Sequence, residues 1–258
     1  MGRPARDFRL VICEPCRLIY RPLPKCASTT MYSLLAALGE ADGKTQAGNP
    51  RRLLPLIRGE PTPDRGGSYE AAVPRQAVAR TLRRFQDYRT FSVIRDPFDR
   101  TVSNYHNKLN RFARRFTPAL YAASYIAPAV SRLRAVTSIE RIQWMQQHVP
   151  FDDFVERLGV EGVSWDVHFR PQVQLLALDE LRYDRLIPME ELLPRLRQLL
   201  ADCGVGERVH GALGHLGRWN ASAAVRKADP WTARTRAVVG SIYAADVDRL
   251  GYAFRRAA

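Results

Sequence analysis

Residues 18–38 read LIYRPLPKCASTTMYSLLAAL, and this stretch decides the fold. Its first part, residues 18–23, is a short apolar run with a β-favouring centre, which predicts a buried strand ending at Pro24. From Met31 onward, apolar residues recur three and four positions apart as far as Gly39, as is typical of an amphipathic helix. The stretch therefore predicts a strand, a tight loop and a helix.

The loop between this strand and this helix, KCASTT at residues 25–30, has the composition of an anion-binding site. Backbone N–H groups at the start of a helix favour phosphate, and Lys25 adds a mobile charge. Ser28, Thr29 and Thr30 can donate further hydrogen bonds to phosphate oxygens. The loop lacks the glycines of the Walker A sequence GxxxxGK[ST], and an ordinary Ser/Thr helix cap beside a surface lysine is the alternative interpretation.

A second strand-to-helix junction occurs at RDPFDRTVSNYHNK, residues 95–108, after a predicted strand over residues 88–94. Arg95 can bind a phosphate through two parallel hydrogen bonds. Ser103 lies eight residues further on, about two helical turns along the same face, and can bond another oxygen of that phosphate. Alternatively, the acidic and basic side chains of this segment only pair with one another at the surface.

The remaining pattern alternates helices with strands, which predicts an α/β fold in three layers, α/β/α, with a central parallel sheet. Ligands bind at the carboxyl ends of such strands, so both junctions are expected in one crevice. We predict a single domain over residues 1–258, in which residues 1–17 are a basic N-terminal arm and residues 41–74 an irregular loop excursion. The other predicted elements are a third strand over 181–187 and helices over 75–85, 98–112, 172–178, 190–203 and 231–250. Residues 119–158 are predicted to be mainly helical, with interruptions at Pro128 and Pro150.

Composition and charge reduce the number of functions that this protein could have. With 46% hydrophobic and 26% charged residues the chain is globular, which excludes disordered and collagen-like classes. Forty Lys+Arg against 26 Asp+Glu give a net charge of +14, which indicates anionic partners such as phosphates, sulfates, acidic glycans, nucleic acid or lipid headgroups. The basic residues are spread along the chain and carry no nucleic-acid-binding signature, so no specific nucleic acid is expected.

Cysteine usage and hydropathy bear on the location of the protein. Cys13 and Cys16 form a lone CxxC, and without a second ligand pair a structural role is favoured over a zinc or redox site. No apolar run reaches the roughly 18–20 residues of a membrane helix, and no signal-peptide pattern is present. We therefore expect a soluble protein of the cytoplasm, with peripheral contact to the inner membrane face and a membrane-associated substrate as further expectations.

These motifs together resemble those of a known enzyme family, the sulfotransferases. PKCASTT (24–30) is similar to their 5′-phosphosulfate loop, and FSVIRDPFDRTVSNYHNK (91–108) to their 3′-phosphate motif, in the same order. WDVHFRPQ (165–172) followed by YDRLIPME (183–190) resembles the family 2 type, the Golgi carbohydrate sulfotransferases and their bacterial relatives, although Pro188 stands where a glycine often stands. Residues 220–222 and 242–252 resemble the C-terminal portion of that type.

The resemblance implies a P-loop-like fold with a helical, loop-rich acceptor-binding region. It implies transfer of a sulfuryl group from 3′-phosphoadenosine-5′-phosphosulfate (PAPS) by in-line displacement, without a metal, to a hydroxyl or amine of a carbohydrate, a glycolipid or another anionic acceptor. Lys25 would contact the 5′-phosphosulfate bridge and act in catalysis. The polar, basic loop that contains Asn220, Ser222, Arg226 and Lys227 would fold over the nucleotide, unless it is only a solvated surface loop. The implied cofactor-binding residues are Lys25, Cys26, Ala27, Ser28, Thr29, Thr30, Arg95, Ser103, Asn220 and Ser222.

An acceptor hydroxyl also requires a general base. We predict His168, because it lies in the motif-bearing loop and imidazole titrates near neutral pH, although a purely structural histidine is as compatible with the sequence. A P-loop phosphotransferase and a non-catalytic anion- or nucleic-acid-binding module are the alternative functions, and the acceptor's identity, the sulfated position and the oligomeric state stay open. The other candidate bases are His106, His148, His210, His215, Asp166 and Glu190.

Overall fold

The structure is a computed structural model that describes residues 8–39, 54–115, 150–164, 166–205 and 229–252, with side chains as far as His106 in the helix that ends at Arg115. The chain divides into two compact units. The sheet unit comprises Met1–Arg95 and Gln172–Lys227, and the helical unit comprises Asp96–Pro171 and Ala228–Ala258. A single domain over residues 1–258 stays a prediction.

The sheet unit contains a sheet of six strands in the order β3-β4-β1-β2-β5-β6. Neighbouring strands β2, β5 and β6 run parallel, as do β3 and β4, whereas β1 is antiparallel to both β2 and β4. The α/β class is confirmed, with a mostly parallel sheet in place of the wholly parallel one expected. The strands are β1 Phe8–Cys13, β2 Leu18–Arg21, β3 Leu56–Arg58, β4 Ser68–Val73, β5 Arg89–Ile94 and β6 Arg185–Pro188.

The helices of the described residues follow most of the expected positions. Helix α1 ends at Gly39 as predicted but begins at Ser28, three residues before the predicted start at Met31, while the predicted last helix is interrupted at Tyr243. The stretch 119–158, predicted to be mainly helical, lies largely outside the described residues. The helices are α1 Ser28–Gly39, α2 Val78–Arg84, α3 Pro97–Arg115, α4 Phe151–Glu161, α5 Gln172–Leu176, α6 Leu192–Asp202, α7 Ala233–Ile242 and α8 Ala244–Arg249.

Two sequence predictions about the sheet are wrong. Part of the expected basic arm is strand β1, because Phe8, Leu10 and Ile12 share one face of the sheet and are buried in its core. The expected loop excursion contains β3 and β4, because β4 pairs with β1 along its whole length and β3 pairs in turn with β4. Nonlocal pairing therefore builds strands where the local pattern is weak.

Helices cover both faces of the sheet beside β4. Tyr69, on one face, belongs to the apolar cluster that includes Val78 of α2. Ser68 and Glu70 belong to the opposite face, where they bond the Leu35 carbonyl and the Tyr32 hydroxyl of α1. The three-layer arrangement is therefore present in the sheet unit.

The helical unit has its own aromatic core. Tyr105 of α3 and Trp231 each meet the Phe151 ring of α4 edge to face, at centroid distances of 5.2 and 4.8 Å. Phe154 and Phe169 are also wholly buried there. No helix among the described residues is long and apolar enough to cross a membrane.

Candidate functional site

The predicted phosphate loop joins β2 to α1 through an unusual backbone. Lys25 and Ala27 have φ angles of 67° and 53°, in the left-handed region that L-residues other than Asn and Asp rarely adopt. The Ala27 carbonyl accepts the first helical hydrogen bond, from the Met31 N–H at 3.0 Å. Left-handed residues that alternate along a loop, followed by a helix N-terminus, turn successive N–H groups towards one concavity, which is the geometry of an anion cradle.

Hydrogen bonds fix this loop against the end of β5. The Arg95 guanidinium donates through Nη1 to the Lys25 carbonyl at 3.2 Å. The Gln172 side-chain oxygen accepts from the Arg95 backbone N–H at 3.0 Å and from the Cys26 thiol at 3.3 Å. The Gln172 amide also donates to the Arg95 carbonyl at 2.7 Å. The structure thus brings the predicted phosphate loop and Arg95 together at the carboxyl ends of two parallel strands.

Side chains of the loop differ in exposure. Thr29 is exposed, whereas Lys25, Ala27 and Thr30 are partly exposed and Ser28 is buried, with 8% of its surface exposed. Cys26 is fully buried, with its thiol turned to Gln172, so it can serve an anion only through its backbone. The hydroxyl and ammonium groups predicted to bind phosphate therefore lie at or near the surface.

The CxxC cysteines lie at the β1–β2 connection of the sheet unit. Cys13 ends β1, Cys16 ends a 3₁₀ turn, and both are buried. A hydrogen bond from Cys16 is the main cause that lowers the pKa of the Cys13 thiol. No group of three or more His, Cys, Asp or Glu residues that could hold a metal ion occurs within the part of the chain that the structure describes.

His168 lies in the helical unit, in a loop held by helix α3. Arg100 Nη2 and Asn104 Nδ2 both donate to the His168 carbonyl, at 3.0 and 2.8 Å. Arg100 also donates to the Arg170 carbonyl at 3.0 Å, and the Tyr243 hydroxyl donates to the Phe169 carbonyl at 2.7 Å. Burial raises the pKa of Tyr243 to about 12, so this hydroxyl keeps its proton at neutral pH. The backbone around His168 is therefore fixed from α3 and from Tyr243.

The His168 ring is paired with one of the other candidate bases. Asp166 Oδ1 lies 2.7 Å from His168 Nδ1 and also accepts the His168 backbone N–H at 2.9 Å. When Asp166 is ionised its carboxylate only accepts hydrogen bonds, so His168 Nδ1 is then the donor of this contact and Nε2 is the ring nitrogen that can take up a proton when the ring is neutral. Both side chains are partly exposed, at 24% and 16%. The pair therefore has the arrangement of a general base oriented by a carboxylate.

The other predicted residues belong to different elements of the chain. Ser103 and His106 are partly exposed on α3 of the helical unit, and Glu190 is exposed in the turn after β6. Asn220, Ser222, His148, His210 and His215 lie outside the described residues.

The sequence prediction left out three buried polar side chains that hold these groups. Gln172 bonds the phosphate loop, and Arg100 and Asn104 bond the His168 loop. Gln172 lies in the quoted stretch WDVHFRPQ, so position in that motif was the one signal for it. Asp96, which belongs to the surface ion pairs of the alternative interpretation, is buried and caps α3 by accepting the Phe98 N–H at 2.7 Å.

Comparisons with known proteins agree with the motifs. The model of the sulfotransferase family matches residues 8–253. Carbohydrate sulfotransferase 10 of Pongo abelii is 24% identical over 212 residues, which cover 78% of this chain and 54% of the relative. The chain thus spans about half the length of that curated relative. No solved structure matches the chain.

Proposed function

Because this chain belongs to the sulfotransferase family, we propose that it transfers the sulfuryl group of PAPS to a hydroxyl or amine of a carbohydrate acceptor. The observation that carries the proposal is the contact of two cationic junctions: Arg95 bonds the Lys25 carbonyl directly, and both junctions bond Gln172. A nucleotide with phosphates on its 5′ and 3′ positions has two anionic groups for two such junctions.

The described residues fit this nucleotide. The left-handed Lys25 and Ala27 shape the N-terminus of α1 into an anion cradle, and an ammonium and a guanidinium stand beside it. We assign the 5′-phosphate to the N–H and hydroxyl groups of residues 28–30 and the 3′-phosphate to Arg95. Ser103, Asn220 and Ser222 stay proposed ligands of the same nucleotide.

PAPS supplies an activated sulfuryl group whose transfer places negative charge on the bridging oxygen of the phosphosulfate. The Lys25 ammonium is suited to neutralise this charge, because Lys25 begins the loop and its backbone carbonyl is held by Arg95 before the nucleotide binds. The loop and Arg95 hold the nucleotide's phosphates, so their main contributions are orientation and electrostatic stabilisation.

His168 is the proposed general base. Its Nε2 accepts the proton of the acceptor hydroxyl, while Asp166 keeps the other ring nitrogen protonated. Arg100 and Asn104 hold the loop, so the ring does not have to be ordered when the acceptor binds. Asp166 is thereby assigned as the residue that orients His168.

The carbohydrate acceptor rests on the name of the curated relative. The net charge of +14 supports an acceptor that is itself anionic, such as an acidic glycan or a glycolipid. The cytoplasmic location and contact with a membrane-associated substrate stay predictions.

Calorimetric titration with adenosine 3′,5′-bisphosphate (PAP), without magnesium, tests the nucleotide site. We expect wild type to bind PAP, and Arg95→Ala and Lys25→Ala to bind it roughly tenfold to a hundredfold more weakly, because each loses a charge-assisted bond to phosphate. Arg83→Ala removes an equal charge from an exposed position of the same unit and should change affinity by less than about threefold.

Transfer of labelled sulfate from PAPS to a panel of carbohydrates then tests the activity. Magnesium-dependent binding of ATP, with no binding of PAP, would instead favour a phosphotransferase. Equal losses in Arg95→Ala and Arg83→Ala would show that PAP responds only to net charge, as in a nonspecific anion-binding module.

A further inference from the structure

A fully buried amide links the two phosphate-binding junctions of the sheet unit. Gln172, the first residue of α5, has no solvent-exposed surface. Its oxygen takes hydrogen bonds from Cys26 of the phosphate loop and from the Arg95 backbone, and its nitrogen donates to the Arg95 carbonyl. A buried polar side chain that bonds two elements constrains their relative position, because each lost hydrogen bond leaves a buried polar group unsatisfied.

We infer that Gln172 is a positioning residue: it holds the two phosphate-binding junctions in the relative position that a nucleotide with both a 5′- and a 3′-phosphate requires. The inference rests on the proposed function and deepens it. Arg95 directly follows Ile94, the last residue of β5 that pairs with β6, so its backbone lies where the strand ladder ends. The Gln172 amide holds this backbone at both its N–H and its carbonyl, and so sets the point from which the Arg95 side chain reaches a 3′-phosphate.

An amide is suited to this task because it both accepts and donates within one rigid plane. An ionised glutamate at the same place would face the Arg95 carbonyl with a second acceptor. A methionine of similar length would offer no donor and only a weak acceptor, its thioether sulfur. The Cys26 thiol and the Arg95 N–H both donate to the Gln172 side-chain oxygen. A displacement of either junction therefore changes the hydrogen bond that Gln172 makes with the other.

The short helix that carries Gln172 is itself fixed to the sheet. Arg21, at the end of β2, donates to the Leu175 carbonyl through Nε and Nη2 at 3.2 and 2.9 Å, and to the Arg9 carbonyl at 2.9 Å. Its guanidinium carbon also lies 3.7 Å from the centroid of the Phe8 ring. Burial lowers the pKa of Arg21 to about 10, which leaves it charged at neutral pH. Gln172 is thus anchored from the same strand that leads into the phosphate loop.

The test compares the affinities of PAP and adenosine 5′-monophosphate, which lacks the 3′-phosphate, in Gln172→Met and Gln174→Met. Gln174 is exposed on the same helix and serves as the matched control. We expect the preference for PAP over the monophosphate to fall roughly tenfold in Gln172→Met and to stay at the wild-type value in Gln174→Met.

This ratio separates positioning from stability. A variant that is only partly folded binds both nucleotides more weakly by the same factor, so its ratio is unchanged. A wild-type ratio in Gln172→Met would overturn the inference while leaving the proposed function intact. Wild-type protein that binds no PAP would overturn both the inference and the proposed function. Arg95→Ala is the reference variant, because it shows how far the PAP-to-monophosphate affinity ratio falls when the Arg95 side chain is lost.

Cys26→Ala provides a second variant if Gln172→Met does not fold. It removes one thiol donor from the shared oxygen and keeps both bonds between Gln172 and Arg95. Circular dichroism and thermal unfolding first show that the Cys26→Ala protein is fully folded at the titration temperature. In that folded protein we expect several-fold weaker binding of both nucleotides, because the loop that serves the 5′-phosphate loses its link, and an unchanged ratio. Unaltered affinities for both nucleotides would contradict the inference.

Discussion

Replacing Ala27 with glycine should stabilise the protein. Ala27 has a φ of 53°, and a left-handed conformation costs an L-residue about 1–2 kcal/mol. Glycine removes that strain but loses about 0.5–1 kcal/mol through the greater entropy of its unfolded chain. The net gain is about 0.5–1 kcal/mol, or a rise of roughly 1–4 °C in the unfolding midpoint for a chain of this size.

Ala36→Gly is the matched control, because it makes the same substitution 9 residues later in the buried middle of α1. There the backbone is helical, so glycine lowers the free energy of unfolding by about 1 kcal/mol through helix propensity. The lost buried methyl adds about 0.8 kcal/mol to this effect. The two variants should therefore shift the midpoint in opposite directions.

Thermal unfolding of both variants beside wild type measures the difference, and PAP titration shows whether the cradle survives. We expect Ala27→Gly to bind PAP within about twofold of wild type, because the hydrogen bonds of the neighbouring residues 25 and 26 do not involve the removed methyl. A fall in midpoint for Ala27→Gly as large as that for Ala36→Gly would refute the claim that Ala27 is strained.

Gly39→Ala should lower the free energy of unfolding by about 1–3 kcal/mol, because a Cβ at Gly39 would lie 2.4 Å from Ser68 Oγ and 2.6 Å from its backbone nitrogen. Urea denaturation measures this loss, and a wild-type midpoint would show that α1 and β4 separate without cost. Asp166→Asn should lower kcat for sulfate transfer about tenfold to a hundredfold, because the amide permits the other tautomer of His168. PAP affinity is the control for Asp166→Asn and should not change, whereas an unchanged kcat would remove Asp166 from the mechanism.

The part of the fold that sequence predicts well is the part in which local pattern and tertiary context agree. Strands β2 and β5 are apolar runs followed by an abrupt change to helical period, and both occur where expected. Strand β1 was missed because Arg9 and the charged residues before it dominate a short apolar run. Strand β4 contains two alanines, which have little strand preference, and its pairing partner lies some 60 residues earlier.

The candidate site shows the same division. The order of lysine, hydroxyls and arginine after two strands is local information, and it predicted which junctions come together. The contacts of Gln172 are not local, since 146 residues separate it from Cys26 and 77 from Arg95. The left-handed Ala27 was equally hidden, because alanine gives no sign of that conformation.

The phosphate loop has no glycine, and the buried Gln172 amide helps to hold its strained backbone in place. A glycine-rich phosphate loop enters the left-handed region at little cost, so its own backbone preferences can shape the cradle. Here Lys25 and Ala27 must be held in that region by bonds from elsewhere. Arg95 holds the Lys25 carbonyl, and Gln172 holds Cys26 between the two strained residues. Because these same two residues bond each other, we expect the loop to keep its shape only while the backbone at Arg95 keeps its own, so that preorganisation of one proposed phosphate site depends on the other.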